Sequence, residues 1–271
     1  MRYLPILVFC AAMATGQTSP SAAPPSAPAI PIDQQNQAKA RALIDQAIDA
    51  LGGNAYLNVE DMTQEGRGYS FHHGDPTGAG TLFWRMYRFP DCERIELTKQ
   101  RDVAYVYRGN EGFEITYKGV RFDDPKEVAD VLRRRNYSLE WVLRKWIHEP
   151  GVALFYDGPT LAAQKDAQQV TIMNARDQSV TLDFDAATHL PVKKSFSWRD
   201  PTDRERNREE EVYDNYKPVD GVMTPYSITR FYNGDMASQR FLNSVRYNTG
   251  LSDALFNVSV TYDPKKPAPR K

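Results

Sequence analysis

The sequence predicts a mainly β (α+β) protein built on one strongly curved antiparallel sheet, a half-barrel of about 10–11 strands. An N-terminal helix and two inserted helices are expected to cover its concave face, because a soluble chain rarely leaves a large apolar surface bare. Three observations carry this expectation. Aromatic residues make up 11% of the 271-residue chain, with 15 Tyr, 12 Phe and 4 Trp, and aromatic side chains favour strands. Most segments alternate apolar and polar residues between Gly-, Asn- and Asp-rich turns, which is the strand period. Only three segments show helical spacing, and each has start and stop signals.

The first helix is read over Asp33–Leu51, where Ala40, Leu43, Ile44, Ala47, Ile48 and Leu51 recur at three- and four-residue steps. Gly52-Gly53 stops it, since glycine accepts the left-handed conformation that closes a helix. The second begins at Asp124, a cap residue, with Pro125 in the first turn and Glu127 placed to complete a capping box. It ends at Arg133-Arg134-Arg135, whose charges complement the negative end of the helix dipole. The third starts at Ser138 and runs through Leu139, Val142, Leu143, Trp146 and Ile147 to Pro150-Gly151.

The strands alternate cleanly in places. Phe113, Ile115 and Tyr117 oppose Glu114, Thr116 and Lys118, and Val180, Leu182 and Phe184 oppose Thr181, Asp183 and Asp185. Turn chemistry falls at Gly109-Asn110-Glu111-Gly112, Val219-Asp220-Gly221 and Asn233-Gly234. Short connections imply that neighbours in sequence pair as hairpins. Thr81–Phe89 is mixed: Leu82, Trp84 and Met86 lie on one face, with Phe83, Arg85, Tyr87 and Phe89 on the other. Val103–Tyr107 is apolar on both. Either the three helices fill the concavity as core, or they partly roof a pocket for an apolar ligand.

Residues 1–16 have the layout of a secretory signal: Arg2, an apolar run from Leu4 to Ala14, then small residues. That run is too short to span a bilayer, which takes roughly 20 residues, and Phe9 before Cys10 does not fit a lipidation site. Mean hydropathy of −0.59 excludes a multi-span membrane protein. Residues 17–32 form a Pro/Ala/Ser-rich linker, residues 33–262 a single domain, and residues 263–271 a basic tail. Removal of the signal leaves Cys92 as the one cysteine, so no internal disulfide is expected although an exported protein's compartment would permit one.

With 34 Lys+Arg against 35 Asp+Glu, nucleic acid is not an expected partner, because phosphate binding needs a cationic excess. The sequence holds no nucleophile elbow, zinc-protease, Walker, dinucleotide or CxxC motif. His72-His73 would point to opposite strand faces, and with no third histidine nearby no metal or other cofactor is expected. Asp183 and Asp185 share a strand face, and Arg199–Glu211 mixes four Arg with six acids. That run is either a solvated hairpin or a docking loop. None of these features sets up a catalytic pair, so the expectation is a protein that is not an enzyme.

Four segments together resemble the LolA/LolB-like lipoprotein-localisation-factor superfamily, in particular its branch of outer-membrane lipoprotein-sorting-like proteins. They are Ala50-Leu51-Gly52-Gly53, Leu182–Val192 (LDFDAATHLPV), Tyr213–Gly221 (YDNYKPVDG) with Pro225, and Tyr247–Phe256 (YNTGLSDALF). The family's inserted helices correspond to residues 125–148, and the likeness covers about residues 36–260. The resemblance implies a soluble periplasmic carrier or chaperone for a lipid or the acyl chain of a lipoprotein, with residues 125–148 as a lid. The alternative within the same fold is an envelope interaction or stress-sensor module without lipid. On the carrier reading, Trp84, Met86, Val142, Leu143, Trp146 and Ile147 are the candidate ligand-binding residues.

Overall fold

The computed structural model describes residues 31–264. The expected export signal, almost all of the linker and most of the basic tail lie outside them. The described residues begin with α1 (Ile32–Leu51) and the single turn α2 (Asn54–Leu57). A first run of strands follows: β1 (Asp61–His72), β2 (Asp75–Pro76), β3 (Thr81–Arg88), β4 (Cys92–Leu97), β5 (Val103–Arg108), β6 (Glu111–Thr116) and β7 (Gly119–Phe122). Then come α3 (Pro125–Asn136), α4 (Leu139–Arg144) and a 3-10 turn at Trp146–His148. The second run is β8 (Ala153–Ala162), β9 (Lys165–Met173), β10 (Ser179–Asp185), β11 (Pro191–Arg199), β12 (Arg206–Val219), β13 (Val222–Tyr232) and β14 (Asp235–Tyr247).

All pairings are antiparallel, in the order β7-β6-β5-β4-β3-β1-β14-β13-β12-β11-β10-β9-β8, with β2 on the end of β1. Two meanders are thus joined where β1 meets β14, from Met62↔Tyr247 to Ser70↔Ser238. Edges β7 and β8 do not pair, so the sheet is open. It has 14 strands against the expected 10–11. Strands as short as β2 and β7 give alternation too little length to show.

The register of β1 on β14 slips at Glu65/Gly66. A Cβ on Gly66 would sit 2.2 Å from the Phe241 carbonyl oxygen, so only glycine allows this approach.

The stripe read in the first helix is the buried one: Ala40, Leu43, Ile44, Ala47, Ile48 and Leu51. The helix stops at Gly52 (φ 125) and Gly53 (φ 54), with the Gly53 amide donating to the Ile48 carbonyl at 2.9 Å. Asp124 caps α3 by accepting from the Lys126 amide at 2.8 Å. The expected capping box does not form, because the Asp124 amide donates to the neighbouring Asp123 carboxylate at 2.9 Å. The expected third helix breaks at Lys145 (φ −124, ψ −60) into α4 and the 3-10 turn. That break turns Trp146 and Ile147 down into the core.

One large core covers the inner face of β8–β11 and reaches Tyr213, Val222 and Ile228 on β12 and β13. There α1, α4 and the 3-10 turn pack Leu43, Ile44, Leu143 and Trp146 onto Val170, Ile172, Leu182 and Phe196. Tyr137 stacks on Phe196 with ring centroids 4.1 Å apart. The outer face of β3–β7 carries a second cluster. Cys92, Val106 and Phe113 lie beneath Phe256, with Met86, Leu251, Leu255 and Val258 around them.

The segment after β14 that supplies these residues is tied down at its start by Asp61, whose carboxylate accepts from the amides of Thr249, Gly250 and Leu251. It ends against edge strand β7, where the Thr261 amide donates to the Val120 carbonyl at 2.8 Å. The other edge is capped differently. The Asn36 side chain of α1 both donates to the Tyr156 carbonyl (2.7 Å) and accepts from its amide (2.9 Å), as a neighbouring strand would.

Candidate functional site

The helices fill only half of the trough. Over β8–β11 the inner face is packed solid, while across β1, β3, β4 and β12–β14 it forms the floor of a cavity of about 350 Å³. The roof is the last turn of α3 (Val131, Arg134, Arg135) and the start of α4 (Ser138, Leu139, Glu140). The helices thus fill one half of the concavity as core and roof a hollow over the other half.

The floor is mixed in chemistry. Near the β12–β13 hairpin it is aromatic and apolar, with Met62, Tyr56, Tyr87, Tyr216, Val222 and Tyr247. A narrow annex of about 30 Å³ continues from this end past Phe89 and Arg144. Toward the β13–β14 hairpin it is basic, with Arg230, Arg240 and Ser238. Between the two ends stand charged pairs. Arg85 Nε donates to Glu93 at 2.5 Å, and its Nη1 donates to Gln64 at 3.2 Å. Lys194 lies 2.8 Å from Glu211, which also accepts from the Tyr213 hydroxyl at 2.7 Å.

Burial raises the Glu93 and Glu211 carboxyls, but the adjacent cations, Arg85 and Lys194 first among them, outweigh it and hold both below the ordinary range. Burial pushes the Tyr247 hydroxyl up to about 12, and those of Tyr56, Tyr213 and Tyr216 well above the ordinary value. These tyrosines are neutral at physiological pH and present ring faces and hydroxyl dipoles to the cavity.

None of the six residues named from the sequence lines this cavity. Val142, Leu143, Trp146 and Ile147 are at most 2% exposed and belong to the packed core behind the roof. Trp84 and Met86 lie on the outer face of β3, Trp84 under the Arg101 guanidinium (4.2 Å to the ring centre) and Met86 beside the Phe256 cluster. The opposite face of the same strand supplies Arg85 and Tyr87 to the cavity.

The acidic run is also split by strand alternation. Glu209 and Glu211 point inward, Glu209 to Arg133 (3.2 Å) and Arg230 (3.4 Å), while Glu210 points outward to Arg208 and Lys193. Alternation through Glu209-Glu210-Glu211 to Tyr213 was the available signal. Asp183 and Asp185 are not a pair: Asp183 is bonded to Gln169, and Asp185 shapes a turn by accepting from the Ala187 and Thr188 amides. Among the described residues no group of His, Cys, Asp and Glu is arranged to hold a metal, and no helix is long and apolar enough to cross a membrane.

An open antiparallel half-barrel, half filled by helices and half hollow under a helical roof, defines the fold class. No family model and no curated protein matches the sequence. Solved structures do. A DUF1329 family protein from Desulfovibrio piger superposes with a TM-score of 0.56 at 16% identity, covering 80% of this chain and 97% of that one. A domain described as an outer membrane lipoprotein-sorting protein, from Vibrio parahaemolyticus, gives 0.51 at 11% identity with the same coverage, 80% and 97%. A LolA superfamily protein from Nitrosomonas europaea gives 0.49 at 13% identity, again over 80% and 97%. The fold expected from the sequence is therefore the fold observed. At such identities the likeness fixes architecture and leaves cargo to the site itself.

Proposed function

We propose that this chain is a non-enzymatic periplasmic binding or carrier protein for a lipid or the acyl chain of a lipoprotein, bound in the cavity between the sheet floor and α3. The observation that carries the reading is the cavity of about 350 Å³, which lies within the size range of small-molecule sites, about 300–1,000 Å³. Its aromatic end offers ring faces to a hydrocarbon, and each buried CH₂ contributes about 0.8 kcal/mol. The roof suits a lid: α3 has no fully buried residue, so lifting it uncovers little core. Val142, Leu143, Trp146 and Ile147 serve this reading indirectly, as the packed base on which the roof stands. The export signal read in residues 1–16 supports an envelope location, and the likeness to the Vibrio domain described as an outer membrane lipoprotein-sorting protein is consistent with it.

Native mass spectrometry of protein purified without detergent, with uptake of a fluorescent fatty acid, tests the reading. Co-purified lipid or saturable uptake supports it. Absence of both overturns it.

A further inference from the structure

Charge inside the cavity is not balanced. Its lining holds six cationic side chains, Arg85, Arg134, Arg135, Lys194, Arg230 and Arg240, against three carboxylates, Glu93, Glu140 and Glu211. Three of the cations are spent. Arg85 serves Glu93 and Gln64, Lys194 serves Glu211, and Arg230 serves Glu209 and Ser238.

The other three are not. Arg135 gives one hydrogen bond, Nη1 to the Gly109 carbonyl, and its Nε and Nη2 are buried without any partner. Arg240 comes only within 4.0 Å of Glu211, beyond hydrogen-bond reach. Arg134 makes no ion pair among the described residues. Glu140 is the one lining carboxylate without an ion pair, and its field acts on Tyr56, Tyr216 and Tyr247 at the aromatic end.

Arg135 reaches the cavity from the roof and Arg240 from the floor, and both residues line the same space. Burial, with repulsion from Arg85, lowers the Arg240 guanidinium below its ordinary value despite Glu211. A guanidinium charge held in a cavity without a full counter-charge costs free energy, and a carboxylate or phosphate entering beside it offsets that cost.

We propose that the cavity selects amphiphiles with an anionic carboxylate or phosphate head, seated between Arg135 and Arg240 with Arg134 at the rim, the tail lying toward the tyrosine end. This deepens the carrier reading above and rests on it. Along β13 the lining runs from Arg230 to Val222, and along β14 from Arg240 to Tyr247, so head and tail regions are laid out in one direction on both strands.

The test is competitive displacement of a fluorescent fatty acid by four ligands: palmitate, hexadecyl phosphate, 1-hexadecanol and inorganic phosphate. The wild-type protein is expected to prefer at least one anionic amphiphile over hexadecanol by about tenfold or more, the factor of a single charge-assisted contact. In R135M and, separately, R240M, that preference ratio falls toward unity, with circular dichroism melts showing that each variant is folded. R135K, which keeps the charge and loses the fork, retains part of the ratio.

Palmitate or hexadecyl phosphate alone being preferred identifies the head. Equal affinity for hexadecanol and both anions overturns this inference and leaves the carrier reading standing. Inorganic phosphate competing as well as hexadecyl phosphate overturns the amphiphile. No displacement by any ligand, with no probe bound, overturns both.

Discussion

Asp61 is 5% exposed, and its carboxylate holds four donors. Oδ1 accepts from the Thr249 amide (2.7 Å) and hydroxyl (2.8 Å), and Oδ2 accepts from the amides of Gly250 (2.8 Å) and Leu251 (3.1 Å). D61N keeps the shape but turns one oxygen into an NH₂ group, which meets two amide donors at Oδ2 or, at Oδ1, one amide donor and the rotatable Thr249 hydroxyl. One or two charge-assisted bonds are lost at about 1.5–3 kcal/mol each, and the rest lose the carboxylate's charge. Because they share one group and do not add fully, the expected loss is about 3 kcal/mol. For a domain of this size that lowers Tm by about 6–12 °C.

A pH series separates the charge from the shape. Burial raises the Asp61 carboxyl, but the hydrogen bonds from Leu251, Thr249 and Gly250 win, and it titrates below its ordinary value in the folded protein. Its contribution is therefore fully present above the unfolded carboxyl pKa of about 3.9 and is lost as pH falls through the lower folded value. Wild type and D61N should differ most at pH 6–7 (roughly two units or more above that pKa) and converge as the solution is acidified below about pH 3. Thermal melts followed by circular dichroism across this range read the difference. Melts at neutral pH within about 2 °C of each other, or a gap that widens in acid, would show that Asp61 does not anchor the closing segment.

Other outcomes follow from the same geometry. L143A, at a fully buried site in the main core, should cost about 3 kcal/mol of stability, while fatty-acid affinity in the folded variant stays within about twofold of wild type. G52A should destabilise strongly. The position has φ 125, and a Cβ there lies 2.2 Å from the Gly221 carbonyl oxygen, so chemical denaturation should show a midpoint shift much larger than for an exposed Gly→Ala change. E211Q leaves Lys194, 2% exposed, without its counter-charge, a loss of about 3–5 kcal/mol measured by urea unfolding at pH 7. N36A removes both bonds that close the β8 edge. Light scattering on prolonged incubation should then show faster self-association.

How far the sequence reached depended on the range of the interactions involved. The α1 stripe, the Gly52-Gly53 stop and the Asp124 and Ser138 caps are local, and each was legible because the deciding partners lie within a few residues. The faces of β3 were legible as well, but their roles were not. Which face meets the hollow depends on β1 pairing with β14 and on residues 251–258 covering the other side, contacts between opposite ends of the chain. Large apolar side chains, the indole of Trp84 and the adaptable thioether of Met86, favoured that face, whereas the cavity takes Arg85 and Tyr87. In the same way, a charged run such as Arg199–Glu211 reads as solvated when alternation shows two faces but not what each face meets.

The charged lining also accounts for how a trough of this kind stays open. An apolar hollow of comparable size would be dry, and its walls would forfeit dispersion contacts, so side chains would tend to collapse into it. Here Glu93, Glu211, Arg85, Lys194 and Arg240 project into the space. Burying them further would cost more than it returned, because each would lose residual hydration without gaining a better partner. Walls of this polarity favour filling by water over an empty space. A ligand that enters must displace that water; an alkyl chain gains dispersion contacts with the rings at the tyrosine end but cannot replace the hydrogen bonds that water makes with the charged groups. The same charges that prop the cavity open therefore discriminate against a purely apolar cargo, and the roof helix, free of core residues, can admit one with a polar end without disturbing the packed half of the barrel.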